Sequence, residues 1–284
     1  MTDRFGIGWR PELAAGILAN LAGIDIVEVI ADDYFEAPRT TRRALSTLAK
    51  QVPLALHGVT LGLASAAAVE QHRLERTARL IDEVRPEFWS EHLAFVRGGG
   101  IEIGHLAAPP RTEATIEGAA RNLSTANSIV GALPLVENIA SLIDPPASTM
   151  SEVDWTSKIL SESNCAMLLD LHNLYANSVN FGFDPYAYID RLPQEHIRVI
   201  HLAGGLWITA KSANERRLLD DHLHDVPDEV YKLLSRVGRR TAHDLTVILE
   251  RDGRYPPMQA LMSQLERART TLALARNDAA TGAA

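Results

Sequence analysis

One cysteine, Cys165, is the only thiol in this chain. An internal disulfide, a thiolate-dominated metal site and an iron–sulfur cluster are therefore excluded. Basic residues are also short. Twenty-eight Lys and Arg stand against 36 Asp and Glu, giving a formal net charge of -8 and a pI near 5.7. That balance argues against a surface built to hold nucleic acid by neutralising phosphates. No apolar run approaches the roughly 18 residues that a membrane span requires. The opening MTDRFGIGWRPEL lacks a charged end followed by an uninterrupted apolar stretch, so no signal peptide is expected. The expectation is a cytoplasmic protein with no membrane or nucleic-acid partner. No GxGxxG follows a strand into a helix, so the glycines of RGGGIEIG and HLAGG read as turns and not as a phosphate cradle.

What the chain does have is apolar material, 46% of 284 residues, enough for one large core. Eight short apolar runs read as strands: Phe5–Gly8, Ile24–Val29, Leu54–His57, Phe88–His92, Leu133–Glu137, Ala166–Asp170, Arg198–His201 and Thr246–Glu250. Between them lie stretches of helical periodicity at Pro11–Asn20, Thr40–Lys50, Ala67–Glu83, Glu113–Val130, Ser151–Ser161, Asp184–Leu192, Asp228–Arg236 and Pro256–Ala275. Alternation of this kind predicts an α/β fold, a (β/α)8 TIM barrel over residues 1–275, with a doubly wound open sheet as the alternative. The small polar residues 276–284 are expected to form a disordered tail. The long stretch from His201 to Thr246 is expected on the active-site face, because long loops in compact domains tend to be functional.

Six of these runs finish on a metal-ligand type of residue: His57, His92, Glu137, Asp170, His201 and Glu250. None of the six stands at the start of its strand. In a parallel barrel the C-terminal strand ends carry the catalytic groups, so this polarity points to a metal site. Asp170-x-x-Asn173 places two oxygen ligands about one turn apart. Asp220-x-His222 is read as two ligands on one side of an extended loop segment. Imidazole and carboxylate together suit zinc, iron or manganese, whereas oxygen-rich magnesium sites rarely use several histidines. Glu137 and Asp170, central in the strand order, are the natural carboxylates to bridge two ions.

The stretches LHGVTLGLAS, SEHLAF, ENIAS, LLDLHNLYANSVNFGFDP, HLAGG, DDHLHDVPDEV and LERD, taken in order, resemble the multinuclear non-heme iron-dependent oxidative enzymes, long grouped only as a family of unknown function. The likeness runs from FGIGWRPEL to Glu250. It implies a (β/α)8 barrel with two or three iron ions in mixed ferrous and ferric states. It further implies dioxygen-dependent modification of a ribosomally made precursor peptide at cysteine, with the thiolate on one iron and oxygen activated at another. A small partner protein that binds the peptide leader is implied as well. By the same resemblance His57, His92 and Glu137 hold one iron, with Glu137 bridging to a second held by Asp170, His201 and Glu250. Asn173, Asp220 and His222 hold a third, weaker ion. Glu137, Asp170 and His201 then act catalytically through the metals they bind. In a trinuclear zinc endonuclease of the wider superfamily the position of Asn173 is a histidine, which favours the oxidative family here.

Many relatives have histidine where Phe181 stands, asparagine at His172 and tryptophan at Arg251. Such departures suggest a specialised branch. Of the branches that make methanobactin and that excise the β-carbon of a C-terminal cysteine on the way to 3-thiaglutamate, the second is preferred. The alternatives are a metal-dependent zinc hydrolase or phosphodiesterase, a sugar-isomerase-like enzyme on the same barrel, and a non-catalytic metal- or peptide-binding protein. His172 reads as supporting the site or the fold more than as a ligand. His224 reads as a loop residue or a substrate contact. Glu28 either lines the barrel mouth or pairs with a core arginine, and Cys165 reads as a small core residue.

Overall fold

The structure, a computed structural model, describes residues 2–209 and 216–282. All eight expected strands are present. In chain order, β1 (Arg4–Gly8) leads to α1 (Ala14–Ala19), β2 (Ile26–Ile30) to α2 (Arg39–Leu48), and β3 (Leu54–Gly58) to α3 (Gln71–Val84). After β4 (Phe88–His92) comes a hairpin of β5 (Phe95–Gly98) and β6 (Ile101–Ala107), then α4 (Glu113–Val130). β7 (Leu135–Glu137), α5 (Glu152–Ser163), β8 (Met167–Asp170), α6 (Leu171–Phe181) and α7 (Pro185–Arg191) follow. The chain then forms β9 (Ile197–Leu202), a second hairpin of β10 (Leu206–Thr209) and β11 (Arg216–Leu219), α8 (Asp228–Arg240), β12 (Thr246–Leu249) and α9 (Met258–Thr281). The closed order β1-β12-β9-β8-β7-β4-β3-β2 makes the parallel TIM barrel and rules out the open doubly wound sheet. Among the described residues no helix is long and apolar enough to cross a membrane.

The barrel strands are almost wholly buried, as expected of parallel strands covered on both faces. The chain packs as two compact units. One comprises Met1–Asp25, Ala140–Ile143 and Leu169–Ala284, and the other Ile26–Ile139 and Asp144–Leu168. In the first, Ile7, Ile200, Val230, Leu234, Ile248 and Leu272 are fully buried. In the second, Ile26, Leu74, Ile116, Leu123 and Ile159 form the core.

Local chemistry sets the helix starts. Thr112 and Thr115 make a reciprocal capping box on α4, Ser151 caps α5, Asp170 caps α6, and Asp184 caps α7 ahead of Pro185. The segment after β3 carries little regular structure and is fastened from several sides. Asp32 Oδ2 accepts from Val59 N at 2.9 Å, and Glu91 Oε2 from Leu61 N at 3.1 Å. Arg97 donates to the carbonyls of Thr60 and Leu61. The Asn122 amide is shared among the carbonyls of Leu63, Ser65 and Ala67, while its oxygen accepts from Val69 N at 2.9 Å. This segment begins two residues past His57, so its anchors also fix where that strand tip ends.

At three places the structure differs from the sequence reading. Residues 171–181, to which the sequence reading assigns no element, form α6, because the Asp170 side chain accepts from Asn173 N at 2.6 Å and starts a helix. Residues 276–281 are not a disordered tail. They complete α9, and Arg276 ties it down by donating to Asp3 Oδ1 at 3.0 Å and His243 O at 2.7 Å; residues 283–284 of that expected tail lie outside the described residues. Asp220 and His222 do come together, Nε2 to Oδ1 at 2.9 Å, but not on an extended segment, since His222 takes a left-handed backbone, φ 52°. The glycines of RGGGIEIG form a turn as expected: Gly99 and Gly100, at φ 58° and 79°, close the β5–β6 hairpin.

Replacing Asn122 with alanine strands three carbonyls and one N–H, and should lower stability by about 1–3 kcal/mol. Chemical denaturation measures this, and an unchanged midpoint would contradict the fastening role.

Candidate metal centre

The clearest constellation lies within the second unit, at the ends of β3, β4 and β7. The β4–β7 register pairs His92 with Glu137, and the β3–β4 register pairs His57 with Ser90. Glu137 is 1% exposed and His57 2%. Both imidazoles point at one carboxylate oxygen: Glu137 Oε2 lies 3.3 Å from His57 Nε2 and 3.4 Å from His92 Nε2. The rings meet edge to face at 65°.

The opposite ring nitrogens are held by the barrel itself. His57 Nδ1 is 2.8 Å from Ser90 Oγ, and His92 Nδ1 is 3.1 Å from the carbonyl of Gly58. A carbonyl only accepts, so His92 Nδ1 carries its hydrogen. In the neutral ring Nε2 then faces a carboxylate oxygen with a lone pair. Two acceptors confronting each other in a buried place call for a proton or a cation between them. A histidine oriented through its far nitrogen is also how protein metal sites set their ligands.

In the first unit the donors come from β8, α6, β9, the segment after β11 and the end of β12. Asp170 and His201 are wholly buried, and Glu250 and Asn173 are 4% exposed. His201 Nδ1 lies 3.1 Å from Glu250 Oε2. His222 Nδ1 lies 3.3 Å from that same oxygen and 3.4 Å from Asp252 Oδ2, and its Nε2 is 2.9 Å from Asp220 Oδ1. Asp170, His222 and Glu250 can bring one ligand atom each to within 4.8 Å of one another, as can His57, His92 and Glu137 in the other unit. Asp252 N donates to His222 O at 2.9 Å, which fixes the left-handed turn against the β12 exit.

Electrostatics follow from this crowding. Burial raises the Asp220 carboxyl, but His222 and His172 beside it outweigh burial and hold it well below the usual carboxylate range. Burial works to lower His222, yet Asp220 and Glu250, with hydrogen bonds to Asp220 and Asp252, push it well above the ordinary histidine value.

Sequence reasoning missed several residues that shape the site. Ser90 and the Gly58 carbonyl orient the two histidines. Arg10, at the exit of β1, pairs with Asp252 and comes within 3.9 Å of Glu250. Asp252 closes the LERD stretch itself, two residues past Glu250, and its position beyond a strand end could have singled it out. His224 is held by Asp221 at 2.9 Å in the loop. Arg251 is buried and staples that face through Asp225 and the carbonyls of Gly253 and Arg254. Glu28 is buried within β2, and Cys165 is buried with its thiol pushed up by burial.

Residues 4–273 match the model of the family described as RiPP precursor modification enzyme MbnB/TglH/ChrH. A UPF0276 protein of Caulobacter vibrioides is 30% identical, covering 96% of each chain. One from Chromobacterium violaceum is 34% identical over 94% of each. A UPF0276 protein of Streptomyces avermitilis is 35% identical over 94% of this chain, which spans only 54% of that longer relative. Among solved structures, the apo 3-keto-D-glucoside 4-epimerase of E. coli aligns with a TM-score of 0.62 at 13% identity, covering 95% of this chain and 100% of that one. The structure described as IOLI protein with a binding zinc atom gives 0.59 at 11%, covering 97% and 98%. At such identities these neighbours speak for the fold.

In the metal-free protein His222 should titrate above an ordinary histidine. Asp220→Asn removes the strongest of the influences that raise it and should bring its midpoint down, read from the ring proton by NMR. An unmoved midpoint would show that Asp220 is not its partner.

Proposed function

We propose, from the premise that the chain belongs to the RiPP precursor modification enzyme family MbnB/TglH/ChrH, that it oxidatively modifies a cysteine of a ribosomally made peptide using bound iron and dioxygen. The observation that carries this reading is the shared Glu137 oxygen, faced by two imidazole nitrogens whose far sides are fixed. The donor set fits iron. It mixes imidazole and carboxylate, holds no thiolate of its own, and so leaves the soft-ligand position to an incoming cysteine.

In this reading His57, His92 and Glu137 hold one ion, and Asp170, His201 and Glu250 another. Asn173, Asp220 and His222 hold a third, weaker one, because an amide oxygen is a poorer ligand than an imidazole. Iron bound there would supply thiolate coordination, which lowers the thiol's pKa, and activation of dioxygen. The chain's own residues do the rest. Ser90 and the Gly58 carbonyl fix the ring orientation of two ligands, and the α6 N-terminus holds the Asp170 carboxylate through Asn173 N–H. Arg10 sets Asp252 beside His222 and keeps a positive charge near Glu250. Burial of the ligands excludes stray water from the reacting thiol.

The substrate assigned is a precursor peptide ending in cysteine, with loss of its β-carbon as in 3-thiaglutamate biosynthesis, presented by a small leader-binding partner in the cytoplasm. The test is aerobic turnover of iron-loaded protein with a cysteine-ending precursor peptide and a leader-binding partner. The expected result is oxygen consumption and a mass change that vanish when the peptide cysteine is replaced by serine. Turnover that persists without oxygen would overturn the reading. A purified protein that holds zinc and hydrolyses phosphodiesters would establish the hydrolase alternative instead. His57→Ala should lose one equivalent of bound metal by elemental analysis, and full retention would remove that residue from the ligand set.

A further inference from the structure

We propose that His172 is a positioning residue that clamps the Asp220 carboxylate for the weakest of the metal ions. The inference rests on the reading above, in which Asn173, Asp220 and His222 receive a cation.

His172 sits in the first turn of α6, between Asp170 and Asn173, and is wholly buried. Its Nδ1 lies 2.7 Å from Asp220 Oδ1. A carboxylate accepts, so Nδ1 donates. Nε2 is also buried and has no hydrogen-bond partner among the described residues. A bare ring nitrogen tolerates that better than a stranded N–H would, so one tautomer fits: hydrogen on Nδ1, lone pair on Nε2. That nitrogen faces the backbone of Gly205. A Cβ at position 205 would lie 2.5 Å from His172 Cε1, 2.8 Å from Nε2 and 2.2 Å from Leu219 O. The ring is thus wedged between Gly205 and Asp220 and is no ligand through Nε2.

The clamp matters because Asp220 stands at the end of the β10–β11 excursion, on no barrel strand. Side-chain bonds join that excursion to α6, among them one from Arg217 to the Asn180 carbonyl. Asn180 exchanges a pair of hydrogen bonds with the Leu218 backbone, at 2.8 and 3.0 Å, and His172 takes Asp220. His222 Nε2 shares the same Asp220 oxygen at 2.9 Å. As both of those are ligand residues, theirs is the contact a cation replaces. The His172 bond survives loading and holds the carboxylate in its loaded rotamer beforehand. Supporting hydrogen bonds of this kind are worth about 10–100-fold in metal affinity.

The experiment is an anaerobic titration of metal-free protein with Mn(II), counting the free ion by EPR. In the wild type the weakest equivalent should be resolved from the tighter ones. His172→Leu should weaken that equivalent alone, by about 10–100-fold. His172→Asn, whose amide N–H falls where Nδ1–H stands, should restore it, which a merely structural ring would not allow. Gly205→Ala should behave like His172→Leu by expelling the ring. A His172→Leu protein that binds every equivalent as the wild type does would overturn the clamp alone. So would uniform loss of all equivalents. A wild type that binds no weak equivalent would overturn the three-ion reading and the clamp with it. Should the leucine variant fail to fold, nitrogen NMR of the metal-free wild type still decides: hydrogen on His172 Nδ1 is expected, and hydrogen on Nε2 refutes the donor role.

Discussion

The confrontation of two imidazole nitrogens with a single buried carboxylate oxygen, Glu137 Oε2, is the constraint around which the site is organised. At His92, whose Nδ1 hydrogen goes to the Gly58 carbonyl, it is costly as it stands, since acceptors facing one another away from water repel unless something positive lies between them. The chain accepts that cost by fixing every neighbour. Strand register delivers His92 opposite Glu137, and Ser90 and Gly58 leave the rings no other orientation. Even the connection that follows His57 is fastened, by Asp32, Glu91, Arg97 and Asn122. Such rigidity is what a metal site demands, because ligands that could relax apart would lose the affinity that holds the ion.

The other group of donors is built on a different plan. Asp170 ends a strand and caps a helix at once, so one carboxylate both terminates β8 and starts α6. Asn173 and His172 follow within that helix's first turn. Asp220 and His222 reach the site from an excursion, held by α6 on one side and by the Asp252 backbone on the other. Strand-borne donors are positioned by the barrel, and excursion-borne donors by side-chain bonds. This difference in support matches the weaker third ion assigned to Asn173, Asp220 and His222.

The barrel was legible in the sequence because its strands are short, apolar and separated by long periodic helices. Phe88–His92 and Glu113–Val130 begin and end where their patterns say. The candidate strand-end donors were legible for the same reason: several histidines and acids closing successive apolar runs fall at the catalytic face of a parallel barrel. What escaped was everything decided by a side chain turning back on its own backbone. The Asp170 cap made a helix of residues to which no element was assigned, and the left-handed His222 put a kink where an extended segment was expected. The Ser90 and Gly58 contacts join different strands, and no spacing along the chain announces them. At Arg276 a small polar tail was expected, but a guanidinium bonded to three parts of the first unit extended α9 through Thr281.

Anomalous X-ray scattering from crystals of the purified protein, recorded above and below the iron edge, tests the central claim most directly. The account predicts iron peaks beside Glu137 Oε2, between His57 and His92, and within the Asp170, His201 and Glu250 group. Density at those places that scatters only at the zinc edge, or no metal at either group in iron-replete protein, would contradict it.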